Sequence, residues 1–353
     1  MSRIRFAIVG AGWRAAFYVR IAKQLPDVFE ITGMLVRSEE KVAAVREKYG
    51  IPVYRTMEEL LAAQPDFVVV AVKRADNAVI ALDLLRRGVP VLAETPAADA
   101  LEDMQEMWRL HKNGAKVQVA EQYFLYPGYE AKLNIAKSGC LGKLNNLTLS
   151  AIHEYHGISI LRLALQEGLS NVSITARTFE WPVTRTQNRD FERVTTGESA
   201  PAKRVRAEFV FEDGKVGFYD FDGTQYHSHI RGRTFDLQGE RGELFNDRVC
   251  YLDEENRPLC ETLTPMRGGD FPGIETITFA GKAIYRNPFA INTLNEDETA
   301  IARLLVGMKA YIDGGEEIYP LADALQDAYL TTLLKKALET DETVTSESQI
   351  WVE

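Results

Sequence analysis

Gly10 and Gly12 stand at the end of a short apolar run, Arg3-Ile4-Arg5-Phe6-Ala7-Ile8-Val9, and lead into a helix-forming stretch that opens with Trp13 and Arg14. A sharp turn at Gly10 and a missing side chain at Gly12 let backbone N–H groups at a helix start approach a pyrophosphate, while Ala15 satisfies the need for a small residue where helix and strand pack. The strand before and the helix after are the context that makes this spacing a dinucleotide site. Further along, Lys73 directly follows the β-branched run Phe67-Val68-Val69-Val70-Ala71-Val72, and Glu94-Thr95-Pro96 follows Val91-Leu92-Ala93. His156, beside Tyr155, heads an apolar stretch that carries Arg162. An imidazole titrates near neutrality, so His156 suits taking a hydroxyl proton as a hydride leaves. At the carboxyl edge of a sheet, Lys73 could polarise a substrate oxygen, bind a phosphate, or stay a solvated loop residue. Tyr155 and Tyr123 could donate to a substrate oxygen or serve as packing. The pairs His153-x-x-His156 and His227-x-His229 lack the glutamate of a zinc helix or share only a strand period, so no metal is expected.

These residues need a scaffold, and residues 1–122 provide the pattern of one. Strands expected at the N-terminus, 31–36, 53–54, 67–72, 90–93 and 117–120 alternate with helices, which is the signature of a doubly wound parallel sheet. Such folds place ligands at the carboxyl ends of their strands. The end of the second strand reads Val36-Arg37-Ser38. An acid at that point would favour NAD by accepting from the ribose hydroxyls, whereas arginine pairs with a 2′-phosphate, so NADP is favoured over NAD even though Glu39 and Glu40 follow.

From residue 123 onward strands follow one another. Asp213-Gly214 is flanked by strands at 207–211 and 216–221, and 239–242 is flanked by 235–237 and 243–245, suggesting an antiparallel meander with helices on one face only. Residues 180–204, polar and carrying Arg185, Arg189 and Arg193, look like a structureless excursion. Two amphipathic helices within 296–338 close the chain. The expected architecture is α/β: a Rossmann domain over 1–122 and an α+β domain with an open-faced sheet over 123–353. The uncovered face suits a homodimer or homotetramer.

The formal charge of −10 argues against nucleic acid or an anionic membrane surface and for a small-molecule partner. Three cysteines, Cys140, Cys250 and Cys260, are too few for a disulfide framework and fit a reducing, cytoplasmic setting. No apolar run reaches the ~18 residues of a membrane helix.

Glu94-Thr95-Pro96, with the glycine turn, resembles the Glu-Lys-Pro box of the glucose-fructose oxidoreductase / inositol dehydrogenase / MocA family, and the likeness extends over nearly the whole chain. The resemblance implies an NAD- or NADP-dependent dehydrogenase acting on a sugar, polyol or related alcohol or carbonyl compound. It implies that Gly10, Gly12, Trp13, Arg14, Arg37, Ser38, Val72, Lys73, Asn77, Glu94, Thr95, Pro96 and Gln122 face the cofactor. It further implies that His156 is the proton-transfer group; Lys73, Tyr155, Tyr123 and Arg162 are candidate companions toward the substrate by their place in the sequence. The departures are at Thr95, where the family has a catalytic lysine; at Val72-Lys73 and Asn77, where it often has Thr-Pro and a histidine; and at Ile152, where its aspartate precedes the histidine by four residues. They leave open a second reading, a catalytically degenerate protein that keeps the dinucleotide site as a sensor or scaffold.

Overall fold

The computed structural model describes residues 3–188, 190–268, 273–289 and 293–352. Its first third forms a six-stranded parallel sheet of β1 (Ile4–Val9), β2 (Phe29–Leu35), β3 (Val53–Tyr54), β4 (Phe67–Val70), β5 (Val91–Ala93) and β6 (Val117–Val119), in the order β3-β2-β1-β4-β5-β6. Helices α1 (Trp13–Gln24), α2 (Glu39–Tyr49), α3 (Met57–Ala62), α4 (Arg74–Arg86) and α5 (Leu101–Lys112) form the connections. Every residue of β4 is fully buried, as expected of a central strand covered on both faces. This is the doubly wound fold the alternation predicts.

After a single helical turn at Tyr123–Leu125, α6 (Pro127–Ser138) leads to β7 (Leu144–Ser150) and α7 (Glu154–Leu165). Strands β8 (Val172–Thr184), β9 (Ser199–Phe211), β10 (Val216–Asp222), β11 (Thr234–Gly239), β12 (Gly242–Phe245), β13 (Arg248–Leu252) and β14 (Pro258–Thr262) follow. A three-stranded sheet of β15 (Thr264–Arg267), β16 (Ile274–Phe279) and β17 (Lys282–Arg286) precedes α8 (Glu296–Ile312), α9 (Leu321–Thr340) and β18 (Val344–Thr345). The second sheet has nine strands in the order β14-β13-β12-β11-β7-β10-β9-β8-β18. The two hairpins seen in the sequence are therefore not neighbours. β7 lies between them, antiparallel to β11 and parallel to β10, so the sheet is mixed rather than a pure meander.

Helices α7 and α9 pack on this sheet, and their apolar faces join the inward residues Leu147, Leu149, Phe209, Phe211 and Leu237 in one core with Val68, Val70 and Val91 of the first sheet. α8 returns to the other side, where Ile301, Leu305 and Met308 pack with Phe6, Ile8, Tyr18 and Ile21. Among the described residues no helix is long and apolar enough to cross a membrane.

Two expectations need correction. The excursion at 180–204 is not structureless: β8 and β9 pair continuously from Val172↔Phe211 to Thr184↔Ser199, forming a ribbon that runs beyond the sheet; Arg189 lies outside the described residues. Ladder hydrogen bonds along the ribbon supply the order that the polar composition of this segment did not reveal. Cys250 and Cys260 are not free thiols, because the register of β13 and β14 sets them directly opposite, with Cα atoms 4.2 Å apart and a disulfide between them. A ten-residue separation gave no hint of this pairing.

The two motif glycines behave differently. Gly10 has φ +114° and a Cβ there would lie 2.2 Å from the Ala71 carbonyl oxygen, whereas a Cβ at Gly12 would meet nothing within 4 Å. Gly10→Ala should therefore cost about 2–4 kcal/mol, and Gly12→Ala about nothing, in denaturant unfolding. Equal losses would mean that the first turn is not as tight as described.

Candidate active site

At the carboxyl ends of β1, β4, β5 and β6 lies a cleft of about 340 Å³, lined on one side by Trp13, Arg14, Val72, Asn77, Glu94 and Thr95 and on the other by Tyr123, His153, His156 and Asp297. The glycine turn supplies one wall because β1 ends there. Trp13 is 75% exposed at its mouth, resting edge-on against Phe17.

A charged group holds the floor. Glu94 Oε1 accepts from Arg14 Nε at 2.8 Å and from the Tyr18 hydroxyl at 2.5 Å. Asp297, at the start of α8, accepts from Arg14 Nη1 at 3.4 Å and Gln122 Nε2 at 3.5 Å. Burial together with the Glu94 charge pushes the Tyr18 phenol up, so it remains a donor. Asn77, at the family's histidine position, is a clamp: its Nδ2 donates to the carbonyls of Glu94 at 2.6 Å and Pro96 at 2.9 Å, fixing the turn around a cis Thr95–Pro96 peptide. Asn77 Oδ1 and Gln122 Oε1 are buried without a partner.

His156 lies opposite. Its Nδ1 is 2.5 Å from Glu121 Oε2 and its Nε2 is 3.3 Å from Thr95 Oγ1. Glu121 is completely buried and its other oxygen accepts from the Tyr123 N–H at 2.9 Å. An ionised carboxylate only accepts, so Nδ1 carries the proton and the Nε2 lone pair faces Thr95 and the cleft. The Tyr123 ring covers one face of the imidazole, with centroids 4.6 Å apart. His153 packs edge-on at 5.0 Å, with its Nδ1 2.7 Å from the Tyr226 hydroxyl. Desolvation against the cleft wall, with His156 and Arg74 nearby, pushes the His153 imidazole down, while part of its ring stays open to solvent.

Of the residues named from the sequence, His156, Tyr123, Thr95, Glu94, Asn77, Gln122, Trp13 and Arg14 line this one cleft. Three companions are not among the residues lining the cleft. The Tyr155 hydroxyl is buried in the core behind α7 without a hydrogen-bond partner, and one residue is about 100° around a helix from His156. Arg162, six residues on and about 240° around the axis, is 2% exposed and bonds Asp327 Oδ1 at 2.6 Å and Asp323 Oδ1 at 2.8 Å. It ties α7 to α9 and does not face the cleft. Lys73 is exposed at the start of α4, between the cleft residues Val72 and Arg74. Arg74 in turn is engaged by Asp99 and, at 3.5 Å, by Glu154. Arg37 and Ser38 lie at the end of β2, with Arg37 exposed and Ser38 preceding α2; Glu39 beyond them is 3.1 Å from Arg55.

Comparison with known proteins agrees with this geometry. The model of a family described as an oxidoreductase family with an NAD-binding Rossmann fold, Gfo/Idh/MocA, matches residues 4–121. The match spans the Rossmann domain, the first third of the chain. No curated relative matches. An oxidoreductase from Agrobacterium radiobacter, solved with NAD+, L-tartaric acid and magnesium, is 17% identical with a TM-score of 0.68, over 97% of this chain and 98% of that one. Levoglucosan dehydrogenase, solved with NADH and L-sorbose, is 15% identical with a TM-score of 0.71, over 99% and 100%. A probable dehydrogenase from Thermotoga maritima is 15% identical with a TM-score of 0.65, over 96% and 98%. At these identities the likeness establishes the shared two-sheet fold.

Sequence reasoning missed Glu121, Asp297 and Arg74. Glu121 carried one usable signal, since it follows the buried run Val117-Gln118-Val119-Ala120 and so emerges at the carboxyl edge of the sheet. Ile152, buried and apolar, cannot accept from the imidazole, and Glu121 does so instead. Removing one member of a buried pair strands the other, so a double-mutant cycle of Glu121→Gln and His156→Ala should give a coupling of about 1–3 kcal/mol by denaturation. Additive losses would mean that the two groups do not interact.

Proposed function

We propose that this NAD-binding oxidoreductase moves a hydride between a nicotinamide cofactor, NADP in preference to NAD, and the alcohol or carbonyl carbon of a sugar-like or polyol substrate. The observation that carries the reading is the His156 Nε2, held by a buried carboxylate and aimed at the box residue Thr95. The cleft suits a dinucleotide: the open space over Gly12 admits a pyrophosphate, and the unpartnered acceptors Asn77 Oδ1 and Gln122 Oε1 complement an amide donor. When bound, the nicotinamide gives or takes the hydride. Nε2 of His156 takes the hydroxyl proton in oxidation and returns it in reduction. Glu121 keeps the ring oriented and stabilises the imidazolium that forms. Thr95 offers a neutral hydroxyl where the family has a cation, a weaker donor to an oxygen gaining charge. Lys73 remains a candidate to polarise that oxygen or bind a cofactor phosphate. Substrate class is suggested by levoglucosan dehydrogenase, a structural neighbour with NADH and L-sorbose.

A screen of sugars, polyols and sugar acids with both cofactors tests the reading. Turnover is expected, and His156→Ala should lower it by about 10²–10⁴-fold while cofactor affinity holds. Thr95 favours the sensor reading to the extent that the lysine is indispensable, so absence of turnover in the unaltered protein and in Thr95→Lys alike would establish that reading instead.

Cofactor preference rests on Arg37, exposed at the end of β2 with no carboxylate at that position. Trp13 emission should respond more tightly to NADPH than to NADH, and Arg37→Asp should reverse the order. Equal or tighter NADH binding in the unaltered protein would remove the preference.

The second sheet's outer face supports self-association. Strand register sets Glu208, Phe218, Thr148, Asp236 and Phe245 in one row across it, with Phe218 and Phe245 41% and 46% exposed. A second copy of the chain is the proposed partner. Light scattering at micromolar concentration should give a dimer or tetramer and Phe218→Glu should shift it toward monomer; a monomeric mass for the unaltered chain would contradict this.

A further inference from the structure

His153 and His156 line one cleft, with ring centroids 5.0 Å apart. Two hydrogen bonds of about 2.9 Å meeting at one oxygen span up to about 5.8 Å, so rings at this spacing can share a ligand oxygen. They are held by different parts of the fold. His156 is fixed by Glu121, just past β6 of the parallel sheet, and His153 by Tyr226, in the single turn Gly223–Tyr226 that follows β10. Tyr226 grips His153 twice: its oxygen accepts from the His153 backbone N–H at 3.2 Å and lies 2.7 Å from Nδ1 of the ring. Between the two histidines, Glu154 takes φ +34° although it is not glycine, its N–H donating to the Tyr219 hydroxyl at 2.8 Å. Left-handed backbone at a residue with a side chain costs folding free energy and persists where the surroundings over-determine it, as they do at binding and catalytic sites.

The proton positions follow from the partners. An imidazole nitrogen is a far stronger base than a phenol oxygen, so the Tyr226 O–H donates to Nδ1 and the proton of the neutral His153 ring lies on Nε2. Desolvation, with His156 and Arg74 nearby, holds His153 below the ordinary histidine range and so favours the neutral ring at pH 7. Nε2 of His153 has no partner among the described residues. The two rings therefore offer the cleft opposite functions, a bare Nε2 on His156 and an Nε2–H on His153. A neutral imidazole N–H stabilises charge building on an oxygen without itself titrating. Lys73 does not line the cleft, and the Thr95 hydroxyl already faces His156 Nε2.

We propose that His153 is a second catalytic residue, whose Nε2–H donates to the substrate oxygen that exchanges its proton with His156, and that Tyr226 is its positioning residue. The proposal rests on the reading of the cleft as a site of hydride transfer. In oxidation the hydroxyl proton passes to His156 Nε2 as the carbon loses its hydride to the nicotinamide. The His153 proton stays on nitrogen, and its hydrogen bond strengthens as the oxygen gains charge.

Nitrogen-15 NMR of the full chain at pH 7, and kinetics with levoglucosan, myo-inositol, D-gluconate and L-sorbose with both cofactors, test it. His153 should show a protonated Nε2 and a bare, hydrogen-bonded Nδ1, and Tyr226→Phe should shift the Nδ1 resonance toward that of a free imidazole nitrogen. His153→Leu should lower kcat by about a hundred-fold or more, with KM changed less than about ten-fold and the Trp13 response to NADPH retained. His153→Gln, which keeps an N–H donor at about the reach of Nε2, should recover at least about ten-fold of that loss, which a merely structural role would not give. A His153 proton on Nδ1 with a bare Nε2, a His153→Leu protein that keeps its rate, or a His153→Gln protein no faster than His153→Leu would each overturn the assignment. Any of these in a chain that turns over one of the four compounds would sink the role of His153 alone. No turnover of any of them, in the unaltered protein and in Thr95→Lys alike, would remove the proposed reaction and with it the donor's task.

Discussion

Glu121 and His156 form the contact on which the site depends. One is the residue that leaves the last strand of the parallel sheet; the other is on the first turn of the helix that covers the second sheet. A fully buried carboxylate is costly unless its oxygens are satisfied, and here one takes the imidazole Nδ1–H and the other the Tyr123 backbone. The pairing therefore fixes the imidazole tautomer and also joins the two halves of the chain across the cleft. Arg162 performs the same service one layer back, joining α7 to α9 through Asp327 and Asp323, so the helix that carries His156 is held at both ends.

The cleft floor follows a similar logic with charge. Arg14 comes from the glycine turn, Glu94 from the end of β5 and Asp297 from α8, three segments far apart in sequence. Each is partly shielded, which makes their mutual attraction stronger than that of a surface pair. Because one oxygen of Glu94 is already engaged by Arg14 and Tyr18, the box glutamate serves this network as well as any ligand. The box itself is shaped by Asn77, whose amide spans the Glu94 and Pro96 carbonyls. A residue that departs from the family pattern here has a structural task.

Legibility in the sequence followed the range of the interactions. The glycine turn, the buried β-branched strand and the Asp213-Gly214 hairpin are dictated within a few residues, and all three formed where their patterns said. Placing β7 between two hairpins is a decision made by long-range pairing, invisible to local alternation. The same holds for the Cys250–Cys260 bond and for the short strands β14 and β15, whose residues are all exposed. Within the site, His156 could be read because a motif frames it. Tyr155 and Arg162 were misjudged because nearness along a helix is not nearness around it, and the helical period already separates them from the cleft face. Glu121 belongs to no motif; only its place at a strand end could have betrayed it.

Proton transfer at the cleft depends on which nitrogen of His156 bears the proton, since only an unprotonated Nε2 can receive one from a substrate. Nitrogen-15 NMR of the imidazole in the full chain reads this directly. The account predicts a protonated Nδ1, hydrogen-bonded to Glu121, and a bare Nε2. A neutral ring with its proton on Nε2 and a bare Nδ1 would contradict it.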